Sequence, residues 1–186
     1  MAEPIHPEAP EDYQLLVPRD WFRIDLTLDR WRSQLKTFVD QQTTRRPMPA
    51  EAKRELWTTL RNTAENGVAQ GALELFLRTE SAVAVATPTP ATLLISLLPM
   101  RGPLNAPPKE LAKALSARRE TAADVSVSSL PAGETVRVAT TTTLDLYVQM
   151  PGEVGYLLLA FTVPLSGIES PLGELCEAIA GSLRWV

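Results

Sequence analysis

The fold is decided by residues 144–186, which read LDLYVQMPGEVGYLLLAFTVPLSGIESPLGELCEAIAGSLRWV. From Leu144 to Met150, apolar residues alternate with Asp, Tyr and Gln, which is the period of a strand with one face toward a core. A Pro/Gly turn follows at 151–155, and residues 155–163 are then apolar on both faces, as in an interior strand. The stretch therefore predicts an antiparallel hairpin whose second strand lies inside a sheet.

A helix is predicted after this hairpin. Ser170 can cap it, because its hydroxyl can accept from a free amide of the first turn, and Pro171 suits the first helical position. Cys176, the single cysteine, is interpreted as a buried packing thiol because it lies on the apolar face of this helix. That face should lie on the sheet and consists of Leu172, Leu175, Cys176, Ile179 and Leu183.

The rest of the chain alternates between helical and strand patterns. Residues 13–17 and 21–26 are predicted to form a strand hairpin, and Thr27 is predicted to cap a helix that ends near residue 42. A second helix is expected over residues 50–69 and a short one over 107–119. Further strands are expected over residues 71–78, 82–86, 91–98, 125–130 and 136–140. The pattern predicts an α+β fold, an α/β/α sandwich with one mostly antiparallel sheet flanked by helices.

Length and composition are those of one soluble domain. The chain has 186 residues, 45% of them hydrophobic and 22% charged, with no apolar run of membrane-spanning length and no secretory signal. We expect an acidic disordered tail over residues 1–12 and a single domain over residues 13–186. One cysteine excludes an internal disulfide and favours a reducing compartment such as the cytoplasm.

Charge is unevenly distributed along the chain. The net charge is −4, which is unfavourable for nucleic-acid binding, but residues 13–61 carry 10 basic and 6 acidic side chains. Solvated helix faces explain such a segment in most proteins. If it is functional, it should bind an acidic partner or the acidic tail itself, through Arg30, Arg32, Lys36, Arg45 and Arg46.

Residues for catalytic or metal chemistry are scarce. His6, the single histidine, lies in the predicted tail, so neither a Ser-His-Asp nor a Cys-His site is expected. No phosphate-binding loop or metal-binding motif is present, and we expect no metal and no cofactor. Candidates for a carboxylate enzyme are Asp25, Asp29 and Asp145. Four tryptophans are expected to anchor the core: Trp21, Trp31, Trp57 and Trp185.

Several segments carry a resemblance to a known family. The stretches VPRDWFRIDL, GALELFLR, LDLYVQMPGEVGYLLLAFTVPL and LGELCEAIAGSLRW, in this order, are similar in layout to the Mog/PsbP-like α/β/α sandwiches. These include DcrB-like proteins and the LpqN-type lipoproteins of actinobacteria, although this chain lacks the lipid-bearing cysteine near its start. The resemblance covers residues 13–186 and implies a non-enzymatic role, since such proteins bind a small GTPase, a photosystem or secreted effectors.

Three functions are consistent with these observations. The first is a protein-binding adaptor or chaperone-like module that would bind a protein partner, for example as an accessory to a secretion or toxin system. An uncovered sheet edge or an apolar groove would support it. The second is a small-molecule or lipid binder with a pocket between sheet and helices, for which an apolar cavity above about 300 Å³ would be the signature. The third is the carboxylate-dependent enzyme.

Overall fold

The computed structural model describes residues 9–80, 89–118 and 123–186. In these residues a seven-stranded antiparallel sheet has the strand order β2-β3-β4-β8-β7-β6-β5. Two further strands, β1 (Tyr13–Gln14) and β9 (Arg184–Trp185), pair with each other outside this sheet. The strands of the large sheet are β2 (Phe22–Asp25), β3 (Ala72–Arg78), β4 (Ala91–Leu98), β5 (Asp124–Leu130), β6 (Gly133–Ala139), β7 (Thr143–Gln149) and β8 (Tyr156–Thr162).

Helices cover both faces of the sheet, which confirms the predicted α+β class. Leu35 of the first helix packs with Leu75 and Leu77 of β3, whereas Cys176 of the last packs with Leu93 and Ile95 of β4. The register pairs Leu75 with Leu94, so the two sets point to opposite faces. The helices are α1 (Trp31–Arg45), α2 (Ala50–Ala69), α3 (Pro108–Arg118) and α4 (Pro171–Gly181), and 3-10 turns lie at Gly102–Asn105 and Pro151–Glu153.

The C-terminal stretch has the predicted structure. β7 and β8 form an antiparallel pair with Leu146 opposite Leu159, and β8 lies between β4 and β7. The Ser170 hydroxyl accepts a hydrogen bond from the Gly173 N–H at 3.2 Å, so the N-cap of α4 is confirmed. Cys176 is fully buried on the sheet side of this helix.

The predicted hairpin of residues 13–17 with residues 21–26 is wrong. β1 pairs with β9, which aligns Tyr13 with Trp185, while β2 pairs with β3. The physical reason is burial, because Leu15 and Val17 pack in the core under α4. The segment between β1 and β2 therefore crosses the face of the sheet that α4 covers, and the chain then enters the large sheet as β2.

The predicted Thr27 cap is also wrong. Asp25 Oδ1 accepts from both the N–H and the hydroxyl of Thr27, at 3.0 and 2.6 Å, so that hydroxyl closes a local turn. The helix begins at Trp31, and Arg30 precedes it without a side-chain cap. The predicted strand at 82–86 and the last residue of the predicted 107–119 helix lie outside the described residues.

Candidate functional site

An arginine-rich cleft lies where β2 begins, β3 ends and α1 ends. We call it the arginine cleft. Its volume is about 710 Å³, and its wall holds five arginines and one acid, Asp20, a net charge of +4. Its lining is Arg19, Asp20, Trp21, Phe22, Arg23, Phe38, Gln41, Gln42, Arg45, Arg46, Arg78 and Thr79.

The sheet register and the direction of α1 bring these arginines together. Because β2 and β3 are antiparallel with Phe22 opposite Leu77, the start of β2 adjoins the end of β3. Arg78 is the last residue of β3, and Arg45 is the last residue of α1. Gln42 of α1 is buried and accepts a hydrogen bond from the Thr79 hydroxyl at 2.5 Å, which fixes the end of α1 to the end of β3.

Only part of the positive charge in the cleft is neutralised. Arg78 pairs with Asp20 at 2.9 Å, and Arg23 pairs with Glu74. Arg19 and Arg45 are exposed and form no ion pair with a described residue. Guanidinium groups bind carboxylates and phosphates through paired N–H donors, so an anionic group is the ligand that this cleft fits.

Trp21 contributes a second feature to the wall of the cleft. Its indole is 4% exposed, and its Nε1 donor is buried without a hydrogen-bond partner in the described part of the chain. An unsatisfied buried donor costs about 1–3 kcal/mol. Phe22 and Phe38 also line the cleft, with ring centroids 5.4 Å apart, so the cleft has aromatic as well as cationic walls.

The five predicted basic residues fall into two groups. Arg45 and Arg46 line the cleft. Arg30 precedes α1, and Arg32 stacks on the Trp31 ring at 4.4 Å and pairs with Glu65 at 3.1 Å. Lys36 pairs with Asp40 at 2.7 Å.

The two groups are well separated along the helix. Arg32 and Arg45 are 13 positions apart in α1, which corresponds to about 20 Å along the axis. Sequence reasoning missed Arg19, Arg23 and Arg78, because strand pairing brings them to the cleft. The stretch PRDWFR at residues 18–23 was the signal in the sequence that could have indicated Arg19 and Arg23.

A second depression, which we call the acidic groove, adjoins the cleft along β2. Its volume is about 610 Å³, and Arg23 belongs to the linings of both. Leu16, on its wall, is 77% exposed. The lining is Asp12, Tyr13, Gln14, Leu15, Leu16, Val17, Arg23, Asp25, Thr27, Leu73, Glu74 and Phe76.

Hydrogen bonds order the polar groups of the groove. The Tyr13 hydroxyl and Arg23 Nε both donate to the Glu74 carboxylate. Burial, followed by this bond to Glu74, raises the pKa of Tyr13, so the phenol stays protonated and keeps donating. The hydrogen bond from the Thr27 hydroxyl lowers the pKa of Asp25, which is therefore a carboxylate at neutral pH.

The acids proposed for an enzyme do not converge. Asp25 lies on β2 and Asp145 on β7, four strand spacings away, or about 19 Å. Asp25 is opposite Glu74 on the α4 side of the sheet, whereas Asp145 is opposite Val138 on the α3 side. Asp29 is exposed in the turn before α1.

The remaining candidates for chemistry are the thiol of Cys176 and a metal-binding cluster. Burial raises the pKa of the Cys176 thiol to about 12, so it is not a thiolate at neutral pH. Among residues 9–80, 89–118 and 123–186, no group of three or more His, Cys, Asp and Glu side chains could hold a metal ion.

A smaller cavity bears on the small-molecule alternative. It lies between α2 and the β4–β8 pair and has a volume of about 330 Å³. Leu56, Leu60, Pro90 and Pro164 supply its apolar wall. The remaining lining residues are Glu55, Thr59, Thr63, Thr89, Thr92 and Thr162.

Comparisons with known proteins do not assign the chain to a family. No family model, no curated protein and no solved structure matches it. The resemblance to Mog/PsbP-like sandwiches therefore stays a prediction from the sequence. In the described ranges, no helix combines the length and apolar character needed to cross a bilayer.

Proposed function

We propose that this chain is a non-enzymatic protein-binding module, of adaptor or chaperone type, that binds an acidic segment of a protein partner in the arginine cleft. The observation that carries the proposal is the convergence of five arginines around one aspartate in a cleft of about 710 Å³. Such charge excess selects acidic partners and accelerates their association.

The shape of the cleft favours a peptide carboxylate over a nucleotide phosphate. Its cations come from β2, β3, the end of α1 and the turn before β2, and the aromatic rings of Phe22 and Phe38 line the same cleft. Arginine and aromatic side chains are the residues that dominate binding energy at protein interfaces. A glycine-rich loop with converging amides, the usual phosphate cradle, is absent from the sequence around these residues.

Charge reversal tests the proposal. A labelled peptide of alternating glutamate and aspartate should bind the protein with an affinity that falls as salt rises. Arg45→Glu combined with Arg46→Glu should weaken binding at least about tenfold and reduce the salt dependence. The matched control combines Arg30→Glu with Arg32→Glu, which makes the same charge change at the other end of α1 and should alter the affinity less than about twofold.

Two results would contradict this function. Equal losses in the two double variants would show that net charge governs binding, without a specific cleft. Unchanged binding in the Arg45/Arg46 double variant, with unaltered thermal unfolding, would remove the cleft from the interaction.

A second candidate function is supported by the cavity beneath α2. Its volume of about 330 Å³ is within the range of small-ligand sites, and it lies between sheet and helix, with Leu56, Leu60, Pro90 and Pro164 as its apolar residues. Stabilisation of the chain against thermal unfolding by a fatty acid would support this function, and it would be independent of Arg45 and Arg46.

A further inference from the structure

The arginine cleft and the acidic groove are neighbours with opposite charge. They meet at Arg23, which lines both. When Arg23 is counted with the Glu74 that it pairs with, the groove has a net charge of −2 and the remaining side chains of the cleft have a net charge of +3. A segment that follows β2 from one depression to the other therefore passes from a positive to a negative surface.

The distance between the two surfaces fits a short extended peptide. Trp21, immediately before β2, lines the cleft, and Asp25, the last residue of β2, lines the groove four residues later. Strand geometry makes this about 13 Å. An extended partner segment would span the same distance with four of its own residues.

Ion pairs within the described part of the chain neutralise only one of the three acids of the groove. Arg23 neutralises Glu74, but Asp12 and Asp25 form no ion pair in the described part of the chain. Beside them, the exposed Leu16 side chain offers an apolar contact.

We infer that the partner segment is bipolar, with acidic residues in the arginine cleft, basic residues about four positions away in the acidic groove, and an apolar residue between them. This inference rests on the proposed function, because the acidic end uses the same cleft. It narrows the partner from any acidic protein to one with an acidic-apolar-basic sequence.

Three labelled peptides of equal length test the inference by fluorescence anisotropy. The first has the sequence Glu-Glu-Ser-Leu-Lys-Lys, and the second has the same residues in reverse order. The third is the first peptide with both lysines replaced by serine. One of the two bipolar peptides should bind about tenfold tighter than the acidic peptide, since two further charge contacts form. Combining Asp12→Asn with Asp25→Asn should remove this advantage, whereas Glu110→Gln with Glu169→Gln, exposed acids outside both depressions, should not.

The outcomes separate the inference from the proposed function. The inference is overturned if the acidic peptide binds at least as tightly as both bipolar peptides, or if the Asp12/Asp25 double variant keeps the advantage. In either case, acidic-peptide binding that Arg45→Glu with Arg46→Glu abolishes would leave the proposed function standing. Absence of binding by all three peptides would overturn both.

Discussion

The two edge strands of the large sheet differ in how their free sides are protected. β2 has four residues, and its Asp25 N–H donates to the Gln34 side chain of α1 at 2.9 Å. β5 has seven residues, pairs with β6 without a bulge and carries one charged residue, Asp124. Proteins usually protect edge strands by brevity, charge, bulges or a covering element. β2 has three of these devices, whereas β5 has one terminal charge in the described part of the chain.

Under the proposed function, this difference would correspond to two modes of recognition. At β2, Arg23 lines both depressions and Asp25 lines the acidic groove, so under the proposed function a partner would be selected by its side chains. At β5, the outer backbone groups have no strand partner among the described residues, and they would accept an added strand with little regard to sequence. Under the proposed function, the specific surface of the molecule would therefore be its β2 edge.

The largest effect is expected on the free energy of unfolding, and it depends on how deeply the side chains of each edge strand are buried in the core. Ile24 of β2 is 0% exposed, whereas Val127 of β5 is 39% exposed. Ile24→Ala should lower the free energy of unfolding by about 2–5 kcal/mol, because it leaves a cavity beneath α1. Val127→Ala should change it by less than about 0.5 kcal/mol.

Urea unfolding of both variants measures this difference. Similar losses in the two would mean that β5 is buried by a contact outside the described residues. A small loss for Ile24→Ala would mean that β2 is not integrated in the core, and the arginine cleft would then lack a rigid wall.

Sequence reasoning succeeded where structure depends on neighbours along the chain. The alternation in β7, the turn that follows it and the Ser170 cap are each encoded within a few residues. It failed for β1, because Tyr13 pairs with Trp185 at the other end of the chain, and no local pattern specifies that partner.

The candidate site shows the same limit. Arg45 and Arg46 were predicted from their position in a basic segment, and they line the cleft. Arg78 reaches the cleft through the register of β3 against β2, 32 residues after Arg46 in the sequence. The acidic groove was not predicted, since it depends on the pairing of β1 with β9 above β2 and β3.

A smaller effect on the free energy of unfolding is expected at acid pH. The helix that packs against β2, α1, is joined to α2 by the ion pair between Asp40 and Lys53. Hydrogen bonds from Lys36 and then Lys53 lower the pKa of Asp40 to about 2. A carboxylate with a depressed pKa stabilises the fold above its unfolded pKa of about 3.9, and this contribution is lost as pH falls toward 2. Asp40→Asn should therefore flatten the stability curve between about pH 4 and pH 2, as should Lys36→Gln with Lys53→Gln. Chemical unfolding at a series of pH values measures this, and a variant curve parallel to that of the wild type would contradict it.

The smallest effect on stability is expected at the unprotected edge. Val127→Lys places a charge at the centre of β5, where the side chain is already 39% exposed, so the unfolding free energy should change by less than about 0.5 kcal/mol. Peptide binding at the arginine cleft should not change, since β5 is at the opposite edge of the sheet.

Aggregation during heating should decrease, because a lysine on an edge strand opposes pairing with a second chain. Light scattering at equal protein concentration measures this, with Val154→Lys as the control, since Val154 is 42% exposed and lies outside the sheet edges. Equal reductions in aggregation by both lysines would attribute the effect to net charge, and β5 would then be as well protected as β2.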